Sequence, residues 1–564
     1  MRKHRFLFTR LVVVLSWMTG FLPGASSQDY VEPMSHSIQA LYQTLQDEIP
    51  LADPQTLAAL RLGLTWLEGL ETFQNNLRQG RTDGLVDWLM LWNGISRDTG
   101  PATLITRSAQ SLRSVIARHA PQPLRLREPL SALRQLAEEL VLELQAWDRI
   151  ERHRRRDGII QVVDSQGRPI PGAEVTIHQI RPDFLFGCNL FVWNEDETES
   201  QLQYRQRFAA LLNYATLGFY WWSYEPSPGQ TREAHWRRAA EWCRQQNIQT
   251  KGHTLLWNYT EPRWLPDDPK LLYEAQMNRI TREMTRFAGL IDKWDVVNEA
   301  TAFDRTEFEK RAPKLTHLWK TTGRSELPRQ AFLTARRANP QAVLVINDYE
   351  LRSRPGNQSP DSGPKQEPPV FEDILDALVD DQGRPLYDAI GIQSHMHGGP
   401  WPTRRILEIV QRFAKYNVPL HFTETTIVSG PGKWEAWEST TLEGELFQAD
   451  EVERFYRTVF SCPEVAALTW WDFSDHRAWQ GAPSGLLRKD MSPKPAYQRL
   501  MELIQNRWRT VETHVTDAAG QACFRGYRGD YWIIVKAPSG RPVQQPFSLP
   551  DDTEPQILRI DLAI

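Results

Sequence analysis

The sequence predicts an α/β fold of the (β/α)8, or TIM-barrel, class over residues 181–504, with an N-terminal helical region and small β-sheet modules flanking the barrel. Three observations support this prediction. Eight apolar runs that resemble buried strands recur along this part of the chain, helical stretches fill the gaps between them, and polar side chains stand at the ends of several runs. Strands that alternate with helices indicate a parallel sheet, and eight such repeats are the number that closes a barrel.

The predicted strands are short and mostly apolar. In chain order they are Phe184–Gly187, Tyr214–Leu217, Gly252–Trp257, Trp294–Val297, Val343–Asn347, Ala389–Gln393, Leu420–Glu424 and Ala467–Trp471. A buried strand that ends on polar residues places them at its C-terminal end. In a parallel barrel, the C-terminal ends of the strands carry the chemistry.

A chain of 564 residues is too long for one compact core, so several domains are expected. Changes in pattern along the chain suggest where these domains begin and end. The predicted divisions are a signal peptide at 1–27, a helical region at 28–157, a β-hairpin module at 158–180, the barrel at 181–504 and a C-terminal β-sheet appendage at 505–564.

The first residues have the pattern of a secretory signal peptide. Arg2, Lys3 and Arg5 make a basic start, Leu11–Leu22 is an apolar run too short for a comfortable membrane span, and Ala25–Ser27 offers small residues for cleavage. We therefore expect a secreted, periplasmic or cell-surface protein that has no membrane association once the signal is cleaved. An uncleaved N-terminal anchor is the alternative.

Two β patterns flank the predicted barrel. Ile159–Asp164 and Ala173–Ile177 alternate between apolar and polar residues on either side of a turn, which predicts a hairpin, and a similar pattern between Val515 and Val535 predicts the C-terminal sheet. The basic run Arg152–Arg156 between the helical region and the hairpin is interpreted as a solvated helix end.

Composition excludes several classes of protein. The net charge of −4 with both signs well mixed argues against a nucleic-acid partner. The four cysteines are widely spaced and form no CxxC motif, so no metal site is indicated; no cofactor is expected either, and free buried thiols are expected rather than a readable disulfide pairing. Twenty-two tryptophans suit contact with the apolar faces of sugar rings.

Two glutamates are the candidate catalytic residues. The fourth predicted strand runs into Asn298 and Glu299, and the seventh ends on Glu424. Two carboxylates on separate strand ends can face one another across the mouth of a closed barrel. This is the pair that cleavage of a glycosidic bond requires, one group acting as the acid and the other as the nucleophile or base.

Five motifs carry a resemblance to a known family. Lys251–Trp257, Trp294–Ala300, Gly391–His395, Thr423–Glu424 and Thr469–Trp471 resemble, in order and spacing, the motifs of the family-ten glycoside hydrolases, which are endo-β-1,4-xylanases. The similarity covers residues 180 to 505 and implies a secreted retaining glycoside hydrolase whose substrate is a β-1,4-linked polysaccharide of the xylan type. It implies Glu299 as the acid/base and Glu424 as the nucleophile.

The resemblance also implies roles for the residues around this pair. Asn298 would hydrogen-bond the sugar 2-OH, and His395 would orient Glu424 while Gln393 projects to the same side. The other implied substrate-binding residues are His253, Trp257, Asn258, Tyr349, Trp471 and Trp479.

The sequence departs from the family pattern at three places. The xylanases have a Glu-Asn-x-x-Lys cluster after the second strand that hydrogen-bonds a sugar two places from the cut, whereas Leu217–Pro226 here is an aromatic stretch. Asn258 stands where a histidine is usual, and Thr426 stands where the family often has an aspartate in the network around the nucleophile. Substrate recognition and the surroundings of Glu424 should therefore differ from those of a typical xylanase.

Two alternatives remain open from the sequence. One is a glycan-binding protein on an inactive barrel, suggested by the lost polar cluster, although both glutamates are retained. The other is a β-glycosidase that acts on a substrate other than xylan. Binding without release of reducing ends would distinguish the first alternative, and a panel of glycans would distinguish the second.

Overall fold

The structure is a computed structural model, and it describes residues 142, 145–351, 370–433, 436–537, 541–552 and 554–562. The predicted signal peptide and nearly all of the predicted N-terminal helical region lie outside these residues. Residues 145–154 are helical, and a first strand, β1, spans Arg155–Asp164, followed by β2 at Glu174–Pro182.

Eight parallel strands form a closed barrel, which confirms the predicted fold class. Each strand hydrogen-bonds to the next in chain order, and the last pairs with the first. The strands are β3 (Leu185–Asn189), β4 (Tyr214–Gly218), β5 (Gln249–Leu256), β6 (Lys293–Asn298), β7 (Val343–Asp348), β8 (Ala389–His395), β9 (Leu420–Thr426) and β10 (Val465–Trp470).

Helices connect the barrel strands. The α-helices are α1 (Glu199–Leu211), α2 (Trp221–Tyr224), α3 (Glu233–Gln245), α4 (Pro269–Arg286), α5 (Thr306–Arg311), α6 (Pro313–Thr322), α7 (Glu326–Ala338), α8 (Phe371–Ala377), α9 (Thr403–Ala414), α10 (Leu442–Phe460) and α11 (Pro495–Leu500). Local sequence sets several boundaries. For example, α4 begins with a proline at its first position, and the Asp268 side chain accepts a hydrogen bond from the Leu271 N–H.

A short 3₁₀ helix at Ala300–Ala302 follows β6 directly, another spans Trp479–Gly481, and a π-helix spans Met501–Arg507. The strands after the barrel are β11 (Val511–Val515), β12 (Gln521–Tyr527), β13 (Gly529–Lys536), β14 (Val543–Leu549) and β15 (Gln556–Leu562). No helix among the described residues is long and apolar enough to span a membrane.

The strands that flank the barrel form two sheets with a shared core. One sheet has the order β12-β1-β15 and the other β11-β2-β13-β14. Ile160 on β1 lies opposite Ala522, Ile177 on β2 lies opposite Ile533, and all four pack in one buried apolar cluster. The segments before and after the barrel therefore fold together.

The predicted hairpin at 158–180 is therefore wrong. β1 and β2 do not pair with one another, because each takes its partners from the C-terminal strands. The turn after β1 does form, with a hydrogen bond from Asp164 N to Arg168 O. Alternation along the sequence identified both strands, but it carries no information about which strand pairs with which.

Arg154 corrects the interpretation of the basic run as a solvated helix end. Its side chain is 2% exposed, and its guanidinium donates to the carbonyl oxygens of Phe460, Cys462 and Val465, between α10 and β10. The guanidinium also lies over the rings of Phe184 and Phe460. Burial is possible because these carbonyls take up the donors that burial removes from water.

We expect Arg154→Met to lower the free energy of unfolding by about 3 kcal/mol, because the apolar side chain leaves buried carbonyls without a donor. Chemical denaturation measures this change. The matched control is Arg168→Met, at an exposed arginine paired with Asp164, where a change below about 0.5 kcal/mol is expected. Equal effects of the two substitutions would contradict the role of Arg154.

The four cysteines are free thiols in the structure. Cys188, Cys243 and Cys462 are buried, as expected from the sequence, whereas Cys523 on β12 is exposed. Cys523 points outward because buried and exposed residues alternate along β12.

Candidate active site

The candidate catalytic glutamates lie at the C-terminal ends of barrel strands. Glu299 follows β6 directly, and Glu424 lies near the C-terminal end of β9. Glu299 adopts a left-handed backbone conformation, with a φ of 55°. For a residue with a Cβ this conformation is strained, and strain of this kind concentrates at functional sites.

Two donors hold the Glu299 carboxyl. Trp257 Nε1 donates to Oε2 at 3.2 Å, and Gln393 Nε2 donates to Oε1 at 3.2 Å. Burial, and then the negative charges of Glu424 and Asp348, raise the pKa of Glu299 to about 8. The carboxyl is therefore protonated at neutral pH, as a general acid must be.

Glu424 is held in the opposite state. Asn347 Nδ2 donates to its Oε1 at 2.7 Å, His395 Nε2 lies 3.1 Å from Oε2, and His253 Nε2 lies 4.0 Å from Oε1. Burial alone would raise the pKa of Glu424, but the His395 hydrogen bond and the charge of His253 outweigh it and lower the pKa. This carboxylate is ionised at neutral pH.

A chain of hydrogen bonds joins the two glutamates. From Glu299 it passes through Gln393 Nε2 to Asn298 Oδ1 at 3.3 Å, and Asn347 Nδ2 donates to the same oxygen at 2.8 Å and to Glu424 at 2.7 Å. The ends of four neighbouring strands, β6, β7, β8 and β9, therefore contribute to one continuous site. In this site one carboxyl is protonated and the other is ionised.

His253 is oriented by a buried ion pair. Its Nδ1 lies 2.7 Å from Asp295 Oδ2, and Lys251 Nζ lies 2.7 Å from the same oxygen. Although burial opposes ionisation, Lys251 and the His253 hydrogen bond lower the pKa of Asp295. An ionised Asp295 accepts a hydrogen bond from His253 Nδ1, so the Nε2 atom faces Glu424.

Several buried polar atoms in the site have no hydrogen-bond partner among the described residues, and two of them lie near Glu299. Asn298 uses its Oδ1 within the chain of hydrogen bonds, and its Nδ2 is left unpartnered; the hydroxyl of Tyr349 is unpartnered as well. Because buried polar atoms are nearly always hydrogen-bonded, atoms of this kind next to a catalytic pair are candidates to contact a ligand.

Asn258 is the one candidate that the structure does not bring into the site. It is fully buried, and its Nδ2 donates to Phe303 O at 2.6 Å and to Thr316 Oγ1 at 2.8 Å. Its role in substrate binding is therefore withdrawn. The side chain is enclosed because it fastens the loop after β6 to α6, which leaves no surface for a sugar to reach.

Two candidate tryptophans pack against the histidines of the site. Trp479 packs on His395 with ring centroids 4.5 Å apart, and Trp471 meets the rings of His395 and His253 edge-on at 5.9 and 5.5 Å. Trp479 is partly exposed, whereas Trp471 is buried. Trp479 therefore has surface available to a ligand, and Trp471 mainly supports the two histidines.

Thr426 contacts the second ring nitrogen of His395. Its hydroxyl lies 3.3 Å from His395 Nδ1. A hydroxyl can donate to this nitrogen, whereas an aspartate could only accept from it.

Sequence reasoning assigned no role to several supporting residues. Asn347 contacts Glu424 directly, Asp348 accepts hydrogen bonds from Thr301 N and Oγ1, and Asp295 orients His253. One signal was present in the sequence. Each is a polar residue inside a run otherwise apolar enough to be a buried strand, where burial requires a partner.

Comparison with known proteins identifies the family. The family model described as glycosyl hydrolase family 10 matches residues 180–503, which is more than half of the chain. The chain belongs to glycosyl hydrolase family 10. The matched residues contain the complete barrel and every candidate site residue.

Relatives of this family 10 chain include an anti-sigma factor and a xylanase. The anti-sigma-I factor RsgI6 of Acetivibrio thermocellus is 28% identical over 403 residues, covering 70% of this chain and 46% of that protein. Endo-1,4-beta-xylanase 1 of Arabidopsis thaliana is 24% identical over 416 residues, covering 72% of this chain and 39% of that protein. The chain spans less than half the length of these two relatives.

Solved structures of family 10 xylanases are similar as well. Xylanase 10B from Thermotoga petrophila RKU-1, solved in complex with xylobiose, is 21% identical and covers 58% of this chain and 95% of that one, with a TM-score of 0.46.

The opposite pKa shifts predict how activity of this family 10 chain depends on pH. For a reaction in which Glu299 is the acid and Glu424 the nucleophile, kcat/KM should be flat at neutral pH and fall on the alkaline side with an apparent pKa near 8. The acidic limb should lie below the ordinary glutamate value, because the pKa of Glu424 is lowered. A pH profile of kcat/KM measures both limbs. An alkaline limb below pH 6 would contradict the assignment of Glu299 as the acid.

Proposed function

We propose that this chain is a retaining glycoside hydrolase that cleaves a β-1,4-linked polysaccharide of the xylan type. Glu299 acts as the acid/base and Glu424 as the nucleophile. The observation that carries the proposal is the pair of carboxyls joined by one chain of hydrogen bonds, with the pKa of Glu299 raised to about 8 and that of Glu424 lowered. Membership of family 10 and the xylanases among its relatives support the substrate class.

In the first step, Glu299 gives its proton to the glycosidic oxygen while a Glu424 oxygen attacks the anomeric carbon. The bond from this carbon to the leaving oxygen breaks, and the leaving sugar departs with the proton from Glu299. A glycosyl ester on Glu424 remains. The Asn298 Nδ2 donor is free to hydrogen-bond a sugar hydroxyl as positive charge develops on the ring.

In the second step, water attacks the anomeric carbon, Glu299 accepts the water proton, and the bond to Glu424 breaks. The electrostatics favour this exchange of roles. Burial still raises the pKa of Glu299, but once Glu424 is esterified its negative charge no longer adds to that effect, so the pKa of Glu299 falls and its ionised form, which acts as the base, is favoured. Two displacements at the same carbon retain the β configuration.

Incubation of the purified protein with xylan, other β-glycans and aryl β-glycosides tests the proposal, with products analysed for length and, by NMR, for the anomer first formed. We expect release of β-anomeric oligosaccharides from xylan. Binding to glycan with no new reducing ends would favour the alternative of a glycan-binding protein. Cleavage of a different β-glycan but not of xylan would contradict the proposed xylan-type substrate. The same analysis distinguishes internal from terminal cleavage.

We also propose that the protein is exported from the cytoplasm. It rests on the signal-peptide pattern of residues 1–27. Expression of the full chain in a bacterial host, followed by N-terminal sequencing of the protein outside the cytoplasm, tests it. We expect a mature N-terminus close to Gln28, and a protein that keeps Met1 would contradict cleavage.

A further inference from the structure

An aromatic strip begins at the acid/base residue. Trp257, which donates to Glu299, stacks on Tyr259 with ring centroids 4.7 Å apart and an interplanar angle of 18°. The ring centroid of Trp222 lies 6.2 Å from that of Trp257, and Trp222 stacks on Tyr220 with ring centroids 4.9 Å apart. These four rings, here called the aromatic strip, are all partly exposed.

The aromatic strip borders the candidate active site. Tyr220 and Trp222 lie in the aromatic stretch Leu217–Pro226. Tyr220 also packs edge-on against His253 at 5.4 Å, so the strip borders the site itself. Rings offer apolar contact to a sugar but little discrimination among its hydroxyl groups. Specificity on this side of the site must come from another group.

A guanidinium lies against one ring of the aromatic strip. Arg311 lies over the ring of Tyr259, 5.0 Å from its centroid, and is exposed. Phe308, three residues earlier on α5, packs against the same ring at 5.7 Å, so one face of the helix fixes both side chains against Tyr259. The guanidinium is therefore held in place before a ligand arrives.

The charge of Arg311 is not neutralised within the described part of the chain. No carboxylate forms an ion pair with it, and this includes Glu307, which stands one helical turn earlier. By contrast, Arg324, whose guanidinium also lies over a ring, is paired with Asp304 at 3.1 Å. A braced, exposed and unpaired guanidinium is suited to bind a carboxylate.

We infer that Arg311 binds the carboxylate of an acidic sugar, a uronic acid carried by the polysaccharide that lies along the aromatic strip. This inference rests on the proposed function and specifies its substrate class. The backbone sugars contact the strip beside Trp257 and Tyr259, and the acidic sugar reaches the guanidinium beyond them. The ion pair supplies the recognition that the rings do not.

The test compares two xylooligosaccharides that differ in one group: the first carries a glucuronic acid side group, and in the second its carboxylate is reduced to an alcohol. We expect kcat/KM to favour the acidic compound about fivefold at low salt, and the preference to fall as NaCl is added. Arg311→Gln should abolish the preference, and Arg311→Lys should keep part of it. Equal rates for the two compounds in the unaltered protein, or a preference that survives in Arg311→Gln, would overturn the inference.

The matched control is Lys415→Gln, which removes an exposed cation lying 5.0 Å over the ring of Tyr416, just before β9 and hence near the opposite end of the barrel. It should leave the preference unchanged. If neither compound is cleaved, the proposed activity fails, and calorimetric titration of the same two compounds then decides the inference alone. Tighter binding of the acidic compound that is lost in Arg311→Gln supports it, whereas equal or absent binding overturns it.

Discussion

Glu424→Gln is expected to abolish hydrolysis while the fold is kept. The amide has nearly the same shape but cannot form the glycosyl ester, so kcat should fall on the order of 10⁶-fold, the scale seen when other enzymes lose a nucleophile. Asn347 and His395 both donate to the carboxylate in the unaltered protein, and the amide oxygen can still accept from one of them. Rates on xylooligosaccharides and the free energy of unfolding, measured on the same preparation, separate chemistry from folding. An active Glu424→Gln protein would remove the nucleophile assignment.

Glu299→Gln is expected to give a different kinetic pattern, because it removes a proton donor and not a covalent partner. Hydrolysis of oligosaccharides should fall by about 10²- to 10⁴-fold, whereas attack on an aryl glycoside with a good leaving group needs little protonation and should suffer less in its first step. The alkaline limb near pH 8 should disappear, since the group that titrates there is gone. Rates on a series of aryl glycosides whose leaving groups have decreasing pKa measure how strongly the first step depends on protonation of the leaving group.

Glu261→Gln is the matched control for Glu299→Gln. Glu261 lies in the loop after β5 and is partly buried, and burial raises its pKa. Its carboxylate accepts from the Lys314 and Leu315 N–H groups, away from the chain of hydrogen bonds. We expect this variant to keep its activity and its pH profile. Loss of activity in the control and in Glu299→Gln alike would point to a general structural effect and would leave Glu299 without its assigned role.

The sequence was most informative about the barrel. Each of the eight predicted runs overlaps a strand of the closed sheet, because buried parallel strands must be apolar and the helices between them separate the runs cleanly. The ends of those strands pointed to Glu299 and Glu424 for the same reason. Polar residues at the edge of an apolar strand have to be explained by a partner or a function.

The sequence was least informative where partners lie far apart along the chain. The strands β1 and β2 pair with strands more than 300 residues later, so the local alternation that identified them suggested a hairpin instead. Arg154 gave the same difficulty, since a buried arginine and a solvated one look alike until the carbonyl oxygens that accept its hydrogen bonds are known. Asn258 was predicted from its position beside Trp257, but its side chain points away from the site.

Capture of the covalent intermediate tests the central claim most directly. An aryl 2-deoxy-2-fluoro-β-xyloside or xylobioside has a good leaving group that allows the first displacement, while the fluorine slows both steps by destabilising positive charge on the ring. Mass spectrometry of the digested protein then locates the bound sugar. The account predicts one fluorosugar, bound to the peptide that contains Glu424. A sugar bound to another residue, or release of the α-anomer with no bound sugar, would contradict it.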